Sequence, residues 1–168
     1  MPISWNEIQT RAIEFSKEWE SAESERSEAK SFWDGFFNIF GISRKRIATF
    51  EEPVKLIGEK YGFIDLFWKG TLLAEHKSKG KSLDKAYSQA LDYFSGLKEY
   101  ELPKYVLVSD FERLRLCDLE TGSENEFNLA ELHNNIHLFG FIAGYRKQTY
   151  KDEDPVNITA AELMGKLH

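Results

Sequence analysis

Phe63-Ile64-Asp65-Leu66-Phe67-Trp68, then Lys69-Gly70, then Thr71-Leu72-Leu73-Ala74-Glu75-His76-Lys77, is the stretch on which the reading of this chain turns. Both runs are rich in apolar and aromatic residues of the strand-forming kind, and Lys-Gly between them is a two-residue hairpin signal. Side chains alternate across a strand, so Glu75 and Lys77 leave one face and His76 the other. A turn at Lys69-Gly70 brings Asp65 back opposite Glu75, which sets two carboxylates together with an ammonium beside them. Asp65 interrupts an otherwise apolar run, and a carboxylate in such a strand needs a partner.

Such a cluster suits a hard divalent cation. Mg²⁺ takes oxygen ligands at about 2.1 Å and keeps several waters, so it needs few protein carboxylates. Mn²⁺ accepts the same donors and is expected to substitute. A metal held by Asp65 and Glu75 activates a water and polarises a phosphoryl oxygen. Lys77 can position the water and stabilise the charge of the transition state. The reaction this fits is in-line hydrolysis of a phosphodiester. A solvated hairpin face also carries Asp-x9-Glu-x-Lys, so the surroundings have to supply the rest of the case.

Working outward, Ser4-Trp5-Asn6-Glu7 reads as a capping box, followed by Ile8, Ala12, Phe15 and Trp19 at helical spacing. A second helix is expected from about Ser24 to Phe40. It carries a double stripe (Phe32, Phe36 and Ile39 beside Trp33, Phe37 and Phe40) that implies cover on two sides, and Gly41 ends it. Thr49-Phe50 and Val54-Lys55-Leu56-Ile57 are strand-prone, with Pro53 marking an edge or a bend, and Glu59-Lys60-Tyr61-Gly62 reads as a turn. Ser82 opens a helix expected to reach about Lys98, with Ala86, Ala90, Phe94 and Leu97 along one face. Two strands follow, Tyr105–Val108 and Leu114–Cys117, around a turn near Phe111-Glu112. Asn128 with Glu131 is expected to cap a helix through Leu138 and Ile142, residues 144–157 read as a loop, and Thr159 with Glu162 caps a last helix that the end of the chain cuts short. The order predicts an α/β or α+β domain with one mixed sheet.

The chain's 168 residues suit one domain, and 42% hydrophobic with 30% charged residues is globular composition. One cysteine, Cys117, excludes an internal disulfide framework and fits a reducing compartment. No apolar run approaches the ~20 residues that span a bilayer, and the opening residues lack a signal-peptide pattern, so the expectation is a cytoplasmic protein with no membrane partner. The net charge of −6 argues against a dedicated nucleic-acid binder, yet Lys69, Lys77, Lys79, Lys81 and Lys85 form a local basic stretch. DNA contact is therefore expected to be local or shared with another domain.

Gly62-x-x-Asp65, Glu75-x-Lys77 and Gln89-x-x-x-Tyr93 together resemble the PD-(D/E)XK nuclease superfamily, the last motif being similar to its RecB-type branch. Glu25-Arg-Ser-Glu28-Ala-Lys-Ser-Phe32, Gly80-Lys-Ser-Leu-Asp-Lys-Ala-Tyr87 and Tyr105-Val-Leu-Val-Ser-Asp-Phe111 resemble the N-terminal nuclease domain of MmeI-like enzymes that fuse restriction to DNA methylation. That resemblance implies a restriction-endonuclease-like αβββαβ core, a mixed sheet flanked by helices. It also implies that Asp65 and Glu75 bind metal and that Lys77 is the catalytic lysine. Gln89 and Tyr93 would sit over the site to orient the lysine or touch the nucleic-acid backbone, with Lys79 and Lys81 as further DNA contacts. A glutamate from the first core helix often joins the metal site in this superfamily; Glu28 is the candidate here and Glu25 the second. The position of the motif's proline is Ile64 in this sequence. The implied activity is Mg²⁺-dependent endonucleolytic cleavage of double-stranded DNA, with a dimer on DNA among the assemblies it admits. Residues 1–150 are then the nuclease-like domain and 151–168 the start of a helical connector to a methyltransferase and a target-recognition region. A catalytically silent DNA-binding or docking module, and an exonuclease acting on DNA ends, are the rival readings.

Other features carry less. His133 and His137 have the i, i+4 spacing of a zinc pair but no third ligand, and read as surface or packing residues. His76 and Cys117 read as core residues, and Arg44-Lys45-Arg46 as a solvated loop.

Overall fold

The computed structural model describes residues 3–22, 25–58 and 60–144. The expected boundary at 150/151 and the Thr159–Glu162 helix lie outside them. The elements run α1 (Trp5–Trp19), α2 (Glu25–Ile39), α3 (Arg44–Ile47), β1 (Thr49–Lys55), β2 (Tyr61–Trp68), β3 (Leu72–His76), α4 (Leu83–Asp92), β4 (Tyr105–Ser109), β5 (Arg113–Asp118), β6 (Glu124–Asn128) and α5 (Gly140–Ala143). The six strands form one sheet in the order β1-β2-β3-β4-β5-β6. Only β3 and β4 pair in parallel, across the α4 connection; the other neighbours are antiparallel. This is a mixed α+β architecture, and its α2–β1–β2–β3–α4–β4 order is the αβββαβ core expected from sequence. Among the described residues no helix is long and apolar enough to cross a membrane.

Ser4 caps α1, its hydroxyl accepting the Glu7 N–H at 3.1 Å, and Ile8, Ala12, Phe15 and Trp19 are buried along one face. The double stripe of α2 is covered on both sides as expected. Phe32 meets Phe15 of α1 at 5.0 Å between ring centroids, while Trp33 meets His76 at 5.4 Å and Phe37 meets Trp68 at 6.2 Å on the sheet. Gly41 follows at φ +73°, the left-handed conformation that ends a helix cheaply only for glycine. All of β3 is buried, with α2 against one face and α4 against the other. Pro53 lies in β1, an edge strand, where its missing N–H costs no ladder bond.

Four local expectations are corrected. The turn before β2 is at Ile57-Gly58, closed by the Leu56 N–H on the Lys60 carbonyl at 2.6 Å, and Tyr61 and Gly62 belong to β2. The β2–β3 loop is Lys69-Gly70-Thr71, one residue longer than a two-residue turn, with Trp68 opposite Leu72. The α4 helix stops at Asp92 and tightens into a 3-10 turn over Tyr93–Gly96, where Gly96 packs on the Lys55 carbonyl so closely that a side chain would not fit. Asn128 ends a strand, β6, instead of capping a long helix; 3-10 turns over Leu129–Asn134 and Ile136–Phe139 lead into α5. The buried residues there (Leu129, Leu132, Ile136, Phe139 and Ile142) recur mostly every third position, a period that suits the tighter helix.

Candidate active site

Asp65 is where the sheet opens. The β2–β3 ladder runs from Trp68↔Leu72 to Leu66↔Ala74 and ends, although β2 stays paired with β1 as far as Tyr61 and β3 with β4 as far as His76. On the other side the β1–β2 register is kept from Phe50↔Leu66 to Glu52↔Ile64, and Glu51 between them has φ +51°, a conformation rare outside glycine. Carboxylates replace the missing ladder: Asp65 N–H donates to Glu75 Oε2 at 2.9 Å, and His76 N–H donates to Asp65 Oδ2 at 2.8 Å. The three-residue loop sets this register, since a two-residue turn would have put Asp65 opposite Ala74. Each carboxylate is oriented by the opposite backbone, and Glu75 is only 1% exposed.

The third expected residue, Lys77, follows β3 directly, its N–H held by the Ser109 carbonyl at 2.8 Å. Its ammonium donates to Gln89 Oε1 at 2.6 Å. Gln89 Nε2 in turn donates to the Tyr93 hydroxyl at 3.0 Å, and that hydroxyl donates to the Phe63 carbonyl at 2.9 Å. The relay starts two residues after Glu75 in the chain and returns to β2 two residues before Asp65. Burial first, then the nearby Glu75 and, more weakly, Asp65 push the Tyr93 phenol up to about 12, so it stays protonated and serves as a donor. Gly62 makes room for this ring: a Cβ there would lie 2.7 Å from Tyr93 Cε1. Gln89 and Tyr93 lie one turn apart at the end of α4, and the Tyr93 hydroxyl is near enough to Glu75 and Asp65 to feel their charge.

The remaining expected residues are distributed as follows. Lys79 and Lys81 are exposed on the loop between β3 and α4. Glu28 is half-buried on α2, beside Glu18, Trp19, Ser21 and Ala22, and is not brought to Asp65 and Glu75. Its helix covers the face that His76 enters, opposite to Glu75 and Lys77. The side chain of Glu25 is outside the described residues. Among those described, no three His, Cys, Asp or Glu side chains gather in a metal-holding group. His76 is wholly buried among Phe32, Trp33 and Phe111, and burial lowers its imidazole to about 3 despite Asp110 nearby, so it is neutral packing. His133 and His137 sit in separate 3-10 turns. Arg44 is not a loop residue: it opens α3, pairs with Asp34 at 2.7 Å and lies over the Phe50 ring. Cys117 is buried. Asp110 had no role in the sequence reading beyond its place in the Tyr105–Phe111 string; it is a fully buried carboxylate that accepts the Gly80 N–H at 3.1 Å across the topology.

Residues 10–168 match the family described as the MmeI N-terminal domain. The DNA methyltransferase A of Bacillus subtilis (strain 168) is 22% identical over 145 residues, which is 85% of this chain and 16% of that protein. Among solved structures, a chain of the cryo-electron microscopy DrdV–DNA complex aligns at TM-score 0.49 and 15% identity over 92% of this chain and 16% of its own length. The chain therefore spans a small part of these relatives. With the match extending over almost all of its residues, the chain belongs to the MmeI N-terminal domain family.

Proposed function

We propose that this chain is a Mg²⁺-dependent DNA endonuclease domain of a restriction-modification protein, hydrolysing phosphodiester bonds at Asp65, Glu75 and Lys77. The observation that carries the reading is the end of the β2–β3 ladder, where two oriented carboxylates take up opposite backbone N–H groups, with Lys77, two residues after Glu75, directed by Gln89. The donor set fits a hard cation: both groups offer carboxylate oxygens, and Mg²⁺ completes its shell with water. Held by Asp65 and Glu75, the ion would supply Lewis acidity to the phosphoryl oxygen and a more acidic bound water. Lys77 presents its ammonium to the negative charge that grows in the transition state, and Gln89 fixes its direction without neutralising it. Lys79 and Lys81 add backbone contacts that position DNA without reading its sequence. Target choice and methyl transfer we assign to other parts of such a protein, in keeping with a relative of which this chain spans 16%.

The rival reading is a catalytically silent DNA-binding or docking module. One experiment separates the readings: incubation of full-length protein with closed circular and linear DNA, in Mg²⁺ or EDTA, beside Asp65→Asn and Lys77→Ala. Cutting of closed circles only with Mg²⁺, lost in both variants, is expected. Unchanged cutting by both variants sinks the site. Digestion of linear DNA alone points to an exonuclease, and DNA binding without any cutting points to the silent module.

A further inference from the structure

The loop that carries Lys79 and Lys81 is exposed, yet it is fastened from beneath by the β4–β5 hairpin. Lys77 N–H donates to the Ser109 carbonyl at 2.8 Å, and Gly80 N–H donates to Asp110 Oδ2 at 3.1 Å. Arg113 Nη2 donates to the Lys81 carbonyl at 3.1 Å and to Asp110 Oδ2 at 2.9 Å. Arg115, on the same face of β5, donates to Asp84 at 2.7 Å in the first turn of α4. Asp110 is the centre of this arrangement. Its other oxygen accepts the N–H groups of Glu112 at 3.1 Å and Arg113 at 2.8 Å, and it is 0% exposed. A carboxylate so buried is costly unless its lone pairs are used; here Glu112 and Arg113 take up most of them, and the Gly80 N–H ties the Lys79–Lys81 loop to the same group. Gly80 adopts φ +86°, a conformation that the Asp110 bond helps to hold.

We propose that Asp110, acting with Arg113, is a positioning residue that holds the Lys79–Lys81 loop in its DNA-receiving conformation before DNA arrives. The inference rests on the reading of the neighbouring site as one that acts on DNA. A loop ordered in advance does not lose its freedom on binding, so loosening it should weaken binding about tenfold. The lysines themselves would remain, and the number of phosphates neutralised would not change.

The test uses full-length protein with Asp110→Asn, Arg113→Gln and, for contrast, Lys79→Ala. Amide exchange at Gly80 and equilibrium binding of a short duplex in EDTA are measured across a salt series. Asp110→Asn and Arg113→Gln should speed Gly80 exchange at least about tenfold and weaken binding about tenfold while keeping the wild-type salt slope. Lys79→Ala should flatten that slope by about one phosphate contact. In Mg²⁺, the loss in the two clamp variants should fall on KM more than on kcat. Arg113 is partly exposed, so Arg113→Gln decides the matter where Asp110→Asn does not fold. Unchanged Gly80 exchange, or faster exchange with unchanged binding, overturns the proposal. If wild type and Asp65→Asn are equally unable to cut, the nuclease reading fails, while exchange and EDTA binding still decide the role of Asp110.

Discussion

Replacing Asp65 by Asn and by Ala separates the metal-binding role proposed for it from its part in completing the sheet. Asp65 Oδ2 accepts the His76 N–H at 2.8 Å, and His76 is wholly buried, so this amide has no solvent to turn to. Ala removes the acceptor and strands the donor, a loss of about 1–3 kcal/mol. Asn keeps an oxygen in the same place. Its bond is weaker without the charge, but repulsion toward the Glu75 carboxylate is relieved, and the two changes roughly offset to within about 1 kcal/mol. Asp65→Ala should therefore unfold about 1 M earlier in urea than Asp65→Asn, taking a slope of about 2 kcal/mol per molar. Tryptophan fluorescence in EDTA reads this well, because Trp19, Trp33 and Trp68 are buried. Both variants should cut DNA about a thousandfold more slowly, the several kcal/mol that a lost metal ligand represents. Equal stability of the two variants would refute the claim that the carboxylates stand in for the ladder. Persistent cutting by Asp65→Asn would refute the metal role.

Three further outcomes follow from the same geometry. Gly62→Ala drives a Cβ to 2.7 Å from Tyr93 Cε1, so it should cost about 1–3 kcal/mol and also slow cleavage by displacing the relay; normal thermal stability argues against that contact. Gln89→Leu removes the acceptor of the Lys77 ammonium and should lower kcat at saturating DNA about tenfold to a hundredfold with little change in stability, while an unaltered kcat would mean that Lys77 needs no guide. Burial first, and then Glu124, push the Cys117 thiol from 9.0 up to about 11, so across that window the folded chain keeps a proton that the unfolded chain has lost. Stability should therefore decline as pH rises from about 9, by up to about 2 kcal/mol more in wild type than in Cys117→Val at pH 10.5, and parallel urea curves would contradict it.

Much of the candidate site's arrangement was legible because strand periodicity is local. The apolar run broken by Asp65, the Glu75–Lys77 spacing and the one-turn separation of Gln89 from Tyr93 all lie within short windows. What escaped notice depends on distant partners. β6, Glu124–Asn128, is polar and mostly exposed and is a strand only because β5 offers it an edge. The end of α4 is set by the approach of Gly96 to the β1 backbone. Asp110 reads as a turn residue until the fold brings Gly80 to it from thirty positions away.

The sequence by itself determined which side chains share a face: the pleat sends Glu75 and Lys77 to the α4 side and His76 to the aromatic side, whatever the partner strands do. Only the tertiary structure decided that β2 and β3 part at Asp65. That opening requires β1 to hold β2 and β4 to hold β3 beyond the point where the two release each other, and such long-range pairing is not written in any local stretch of the chain.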